Sequence, residues 1–277
     1  MRDLVISFSG GRTSALMSKY IIESDKFKDY NKHFIFANTG KEREETLDFV
    51  NKVDKEFNLK LHWIEVTFPE EGKIWHKRVT YETASRNGEP FEAGIARYGV
   101  PNKTRPWCTR SLKQQPIKKY IRHELGLKDY DMAIGIRADE AHRINWANAV
   151  ANNYIYPLVT SMPIDSAYVR KFWQAMPFDL ELKDYEGNCD LCWKKSQRKL
   201  MTILKHNPSI ADWWSQMEEG YQEGEFQFYR GELSAKDLLF KSTTEKYREA
   251  KDYFEEEGKQ SCLFDSLDSG APCLCFN

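Results

Sequence analysis

Short apolar runs alternate along the chain with stretches in which apolar residues recur every three or four positions. Leu4 to Phe8 is a β-prone run that ends at a glycine pair, Gly10-Gly11. Helix-favouring residues follow from Ser14 to about Ser24, with Leu16, Tyr20 and Ile21 on one face. His33 to Ala37 predicts a second strand closed by Asn38-Thr39-Gly40, and Glu44 to Phe57 places Leu47, Val50 and Phe57 at helical spacing. Leu61 to Val66 predicts a third strand, and Asp131 to Arg137 a fourth. This alternation belongs to a parallel sheet with crossover helices, so an α/β fold is expected. From Thr67 to Arg105 the pattern lapses, punctuated by Pro69, Gly72, Gly88, Pro90, Gly94, Gly99 and Pro101. So long a stretch reads as a lid or binding loop. Helical pattern returns near Gln114, with Pro116 close to the helix start. Beyond Pro157 the chain turns helical and aromatic, with Trp173, Trp193, Trp213 and Trp214. The expected division is a sheet domain over 1–160 and a mostly helical, cysteine-containing extension over 161–277.

Composition narrows the class. Hydrophobic residues make up 41% and charged residues 30% of the 277, which excludes a disordered chain. No apolar run approaches the ~20 residues of a bilayer crossing, and the N-terminus lacks a signal-peptide core, so a cytoplasmic protein with no membrane partner is expected. A net charge of −1 excludes polyanion binding by bulk attraction. Locally the balance differs. Lys103, Arg105, Arg110, Lys113, Lys118, Lys119 and Arg122 lie in a stretch without Asp or Glu, and Lys194, Lys195, Arg198, Lys199 and Lys205 mark a second basic run. Solvated helix faces commonly look like this, but two such runs beside candidate chemistry point to a phosphate-rich partner.

The chemistry begins at Ser9-Gly10-Gly11-Arg12-Thr13-Ser14, between the first strand and the first helix. Glycines let the backbone turn sharply and approach an anion, and a helix N-terminus offers unpaired N–H groups. Ser9, Thr13 and Ser14 would add hydroxyls and Arg12 a charge. A Walker loop is excluded because no Gly-Lys-Ser/Thr follows.

This loop resembles the SGGxDS loop of the PP-loop adenine nucleotide α-hydrolase superfamily, with Thr13 where that family carries Asp. Phe36 to Gly40, with Glu42 and Thr46, resembles the second strand-turn of its phosphoadenosine phosphosulfate (PAPS) reductase-like branch. Arg105 to Lys113, ending at Pro116, is similar to that branch's Cys-Cys-x-x-Arg-Lys-x-x-Pro block, with Trp107 in the first cysteine slot. Gly135-Ile136-Arg137-Ala138-Asp139-Glu140, with Arg143, is similar to its Gly-Ile-Arg-x-x-Glu strand end. The motifs cover about the first 145 residues and lie at strand carboxyl ends, where ligands of open α/β sheets bind. The resemblance implies an adenine nucleotide, ATP or the sulfonucleotides APS and PAPS, held by Ser9–Ser14, Asn38, Thr39, Gly40 and Gly135. It implies cleavage between the α- and β-phosphates, with Arg137, Arg143 and Lys113 as charge clamps and Mg²⁺ as helper.

Six cysteines in an intracellular chain favour metal or redox chemistry over disulfides. Cys189 and Cys192 form a C-x-x-C pair, Cys108 lies in the nucleotide region, and Cys273 and Cys275 lie near the end. Cys108, Cys189 and Cys192, with Cys273 as fourth ligand, would suit a [4Fe–4S] cluster, with zinc as the alternative and plain packing the bland reading. Cys262 receives no role. The expected function is an ATP-pyrophosphatase-type, iron–sulfur sulfurtransferase acting on a nucleic acid or nucleotide, served by a sulfur donor or a reductant protein. The rivals are an APS/PAPS reductase releasing sulfite and a non-catalytic nucleotide-binding protein. The chain's Cys-Leu-Cys-Phe-Asn ending departs from the reductases' Glu-Cys-Gly-Leu-His tail.

Overall fold

The computed structural model describes residues 1–70, 72–221, 228–229 and 232–252. Its centre is a six-stranded sheet in the order β4-β3-β2-β1-β5-β6. β1 (Arg2–Phe8), β2 (Tyr30–Asn38) and β3 (His62–Thr67) run parallel, as do β5 (Asp131–Ile134) and the short β6 (Tyr154–Ile155). β4 (Trp75–Val79) is antiparallel to β3 at the edge. Central parallel strands are covered on both faces, which is why β1 reads from Leu4 as an apolar run interrupted only by Ser7. Alternate β1 side chains divide between the layers. Leu4, Ile6 and Phe8 pack with α1 (Arg12–Glu23) and α2 (Glu44–Phe57), while Val5 packs with Ile117, Tyr120 and Ile121 of α4 (Gln115–His123). The α/β expectation therefore holds, as a doubly wound sheet. Chain order steps from β1 out to β3, then resumes on the other side of β1 with β5. The reversal between β1 and β5 is the place where such sheets bind ligands.

The segment expected to be a long loop, 67–105, contains β4 and α3 (Glu89–Tyr98). β4 is an edge strand whose exposed Lys77 and Arg78 erase the apolar alternation. Two of the glycines read as loop punctuation, Gly88 and Gly99, bracket α3, and Gly94 lies within it. Gly88 and Gly99 adopt φ of +93° and +76° at its two ends, with Pro90 in its first turn. The helix expected from Gln114 starts earlier, as a π-helical stretch over Thr109–Gln114 continuous with α4.

α5 (Trp146–Ala151), α6 (Pro157–Thr160) and α7 (Ser166–Gln174) follow β5. Residue 160 is not a packing boundary. Ile164, Val169 and Trp173, with Leu180 and Leu182, belong to the same core as β1, α1 and α2. A separate core begins at Tyr185 and joins α8 (Gln197–His206), α9 (Ile210–Gly220) and α10 (Ala235–Thr244) to Phe91 and Ile95 of α3 and to Cys108 and Leu112. The aromatic, helical extension thus packs on the 89–112 insertion. Among the described residues no helix is long and apolar enough to cross a membrane.

Two imidazoles under α4 make stability pH-dependent. Tyr120 Oη lies 2.9 Å from His62 Nδ1, and His76 Nε2 lies 3.4 Å from Glu124. Burial lowers both histidines' pKa from the usual 6.5, against the opposing pull of Glu124 on His76. Folding therefore favours the neutral rings. The unfolded chain binds more protons below pH 6.5, so stability is full above 6.5 and falls as pH drops through the two folded-state values. Thermal unfolding is expected to begin at a lower temperature at pH 5.5 than at pH 7.5, and the H62Q/H76Q variant should lose part of that difference. An unchanged difference would assign it to other groups.

Candidate nucleotide site

At the end of β1 the chain turns through Gly10 at φ +83°. A Cβ there would stand 2.9 Å from Thr46 Cγ2 and 3.1 Å from Phe36, so α2 and β2 press directly on the turn. Gly11 is extended and precedes α1 with no side-chain cap, and the first turn of α1 carries no acid. The helix thus presents uncapped N–H groups and the positive end of its dipole at the β1/β5 reversal. Gly135, just beyond β5, lies against the same turn, its would-be Cβ 3.3 Å from Ser14 Cα. The two glycine segments give the site a floor of backbone, the surface a phosphate group needs.

The serines brace this loop. Ser9 donates from its amide and its hydroxyl to Ser14 Oγ, at 3.2 and 3.0 Å, and Ser14 Oγ donates to the Gly11 carbonyl at 2.9 Å. These bonds shape the turn. Arg12 is held by the segment after α7. Its guanidinium grips Asp179 at 2.7 and 2.9 Å and donates to the carbonyls of Leu180 and Leu182, while its own carbonyl accepts from Trp173 Nε1 at 3.0 Å. Arg12 therefore ties the segment after α7 to the loop.

Arg137 lies at the loop. It donates to Thr13 Oγ1 at 3.3 Å and is aimed by Asp139 at 2.9 Å and Glu140 at 3.3 Å. Arg143 stands one step further out, held to Glu140 at 2.7 Å. Asn38, by contrast, is completely buried. It donates to Glu65 Oε1 at 2.7 Å and the Ser85 carbonyl at 2.8 Å, and accepts from Gly40 N–H at 3.1 Å. Thr39 donates to Glu42 at 3.1 Å. The Asn38–Gly40 turn is thus held from inside, and Gly40, at φ +76°, has Pro90 2.7 Å from where a Cβ would be.

Lys113 is engaged within the protein. Its ammonium pairs with Glu42 at 3.0 Å with both side chains buried, and Glu42 Oε2 has no hydrogen-bond partner. Glu42 also bridges by its backbone to Cys189, and Asp190 N–H and Asn188 C=O bond the backbone of Lys41 and Arg43. Asn188 donates to the Ser9 carbonyl at 2.6 Å, reaching from the cysteine segment to the phosphate loop. Neither Asn188 nor Asp179 was identified as a site residue from sequence. The available signal for Asn188 was its place in Gly187-Asn188-Cys189-Asp190, whereas Asp179 carries none.

The segments bearing the three central cysteines adjoin. Lys194, two residues past Cys192, donates to Thr109 beside Cys108 at 3.3 Å. Cys108 is buried, Cys189 and Cys192 half-buried, and no disulfide joins them. Burial, then the negative charge of Asp190 and Glu42 with Cys192, hold the Cys189 thiol well above its usual range, against Lys113. Among the described residues no three His, Cys, Asp or Glu side chains are grouped as metal ligands, and Cys273, the expected fourth ligand, lies outside them with Cys262 and Cys275. The donor types suit a soft metal.

Three comparisons bear on this geometry. The model of the phosphoadenosine phosphosulfate reductase domain matches residues 3–174, from β1 through α7. The uncharacterized nin region protein ORF290 of Escherichia phage lambda is 30% identical over 243 residues, 83% of this chain and 81% of that protein. The uncharacterized protein MJ0066 of Methanocaldococcus jannaschii is 24% identical over 80% of this chain, which spans 42% of its length.

Proposed function

The chain belongs to the phosphoadenosine phosphosulfate reductase domain family, and from that membership and the loop geometry we propose that it binds ATP at the β1/β5 reversal and transfers adenylate. The observation that carries the reading is the backbone floor at Gly10-Gly11 and Gly135 beneath an uncapped helix N-terminus, with Arg137 aimed over Thr13. A nucleophilic oxygen or nitrogen of the acceptor attacks the α-phosphorus. The bond to the bridging oxygen breaks, pyrophosphate carries away the electron pair, and the acceptor's proton passes to solvent or to the leaving group. Amide N–H groups of α1 neutralise charge on the phosphates, and Arg137 acts on the charge that develops as pyrophosphate departs. Mg²⁺, when bound to the phosphates, supplies further neutralisation.

The finer reading is a sulfurtransferase, in which a sulfur nucleophile from a donor displaces AMP from the activated acceptor. The adjoining cysteine segments support it. Because their side chains are not grouped as a metal centre, no step is assigned to iron or zinc. If Cys108, Cys189 and Cys192 hold a cluster, each Cys→Ser variant should lose iron from anaerobically purified protein while C262S keeps it. Stoichiometric zinc without iron would defeat the cluster and leave a structural knuckle. The family's own description favours a second reading, sulfite release from APS or PAPS.

Product analysis separates these readings. With ATP, Mg²⁺ and an acceptor, AMP and pyrophosphate are expected, and R137A should slow their release by about a hundredfold, the usual effect of removing one stabilising donor. ADP with phosphate as products, or sulfite from APS or PAPS with a thiol reductant, would overturn adenylate transfer.

A further inference from the structure

Two cavities open on the outer side of the helix that runs from Thr109 to His123. The first, about 400 Å³, is lined by Lys73, Arg97, Lys118, Lys119 and Arg122. The second, about 570 Å³, is lined by Arg105, Arg110 and Trp107. Tyr98 and Gln115 line both, so the cavities form one continuous trough, and no acid lines it among the described residues. The sequence places this charge deliberately. Gln115, Lys118, Lys119 and Arg122 follow the i, i+3, i+4, i+7 spacing of one helix face, while Pro116, Ile117, Tyr120 and Ile121 bury the other. The π-helical stretch before α4 lets Lys113 reach inward to Glu42 while Arg110 and Gln115 line the trough.

Among the described residues Lys73, Lys118, Lys119, Arg122 and Arg110 form no ion pair, although salt bridges hold cations elsewhere on the chain. Lys119 instead rides over the Trp75 ring at 5.1 Å, and Trp75 is 37% exposed. The Tyr98 and Trp107 rings meet with centroids 5.4 Å apart, and the Trp107 indole is fixed by its bond to the Gly99 carbonyl. One polar atom in the wall is unsatisfied. Gln115 Oε1 is buried without a hydrogen-bond partner, an acceptor lacking a donor at the junction of the two cavities.

We propose that this trough binds single-stranded nucleic acid. Unpaired cations suit phosphates, the half-buried Tyr98 and Trp107 rings in the wall suit contact with unstacked bases, and a base N–H or sugar hydroxyl would satisfy Gln115. The trough is concave, whereas duplex DNA is read by elements that protrude into its grooves. The inference rests on the adenylating reading in one respect: Lys113, on the same helical run as the trough cations, pairs inward with Glu42, and a strand lying in the trough would have to reach past that pair to present its acceptor atom to the nucleotide.

The test titrates the full chain with a fluorescein-labelled 20-nucleotide RNA, the matching DNA strand, a duplex, and phosphatidylserine vesicles at 50 and 200 mM salt. Alongside it, affinity for α,β-methylene-ATP is measured. Wild type should bind the single strands, tighter than the duplex, with a log–log salt slope of about −0.7 per phosphate contact. K118E/K119E should bind at least about tenfold more weakly with a slope shallower by about 1.4, and should keep wild-type affinity for α,β-methylene-ATP. Oligonucleotide binding that is salt-insensitive, unchanged in K118E/K119E, or weaker than vesicle binding would overturn the proposal. Strand binding without nucleotide binding would instead defeat the adenylating reading and leave the trough standing.

Discussion

Gly11→Val is expected to lower affinity for ATP about a hundredfold, or ~2.7 kcal/mol, while moving the thermal midpoint by no more than about 4 °C. The reason is the contrast between neighbouring glycines. Gly11 is extended, at φ −100° and ψ 164°, a conformation β-branched residues favour, and a Cβ there makes only ordinary contacts, with the Asn188 side chain at 3.5 Å and Ser9 Oγ at 3.8 Å. Valine therefore fits the fold but places its methyl groups over the amides that a phosphate must reach. Losing one or two charge-assisted hydrogen bonds of ~1.5–3 kcal/mol each gives the expected magnitude. Gly10→Ala should do the reverse and damage stability first, because φ is +83° and the added carbon would meet Thr46 at 2.9 Å. Calorimetric titration with ATP and a melting curve for both variants check the pair. Wild-type affinity in G11V would remove the phosphate from this loop.

Lys113→Met is expected to destabilise the chain by ~3–5 kcal/mol, because it leaves the Glu42 carboxylate buried without its cation. Glu42 retains the Thr39 hydroxyl on one oxygen and nothing on the other. The Glu42→Gln/Lys113→Met double variant should recover most of the loss, since a neutral pair carries no uncompensated charge. Urea unfolding of the wild type, both single variants and the double variant gives the cycle. If K113M were as stable as wild type, the pair would be open to water. The pair matters for the site because Glu42 bridges to Cys189, so it anchors the cysteine segment beside the loop.

The central strands were legible because burial on both faces leaves apolar runs. α2 was legible to the residue, Glu44–Phe57, because its apolar positions repeat at helical spacing. β4 and α3 were not. In β4 only His76 is buried, and α3 is framed by glycines that signal a cap and a loop equally. Gly10, Gly11, Gly135 and Arg137 come together at the site, since glycine and strand-end position are local signals. The fates of Arg12, Lys113 and Asn38 were not legible. Each depends on a partner distant in sequence, Asp179, Glu42 and Glu65, and whether a cation meets a ligand or a buried carboxylate is decided by packing. The basic run from Lys103 to His123 likewise resolved only in three dimensions, with Lys113 turned inward and Lys118, Lys119 and Arg122 facing the trough.

The most direct test of the nucleotide site is a crystal structure of the full chain with α,β-methylene-ATP. Phosphate oxygens are expected within hydrogen-bond distance of the Arg12 and Thr13 amides at the start of α1, with Arg137 alongside and Gly135 beneath. Phosphates seated only in the trough of Lys118 and Arg122, with the Gly10-Gly11 turn untouched, would contradict it.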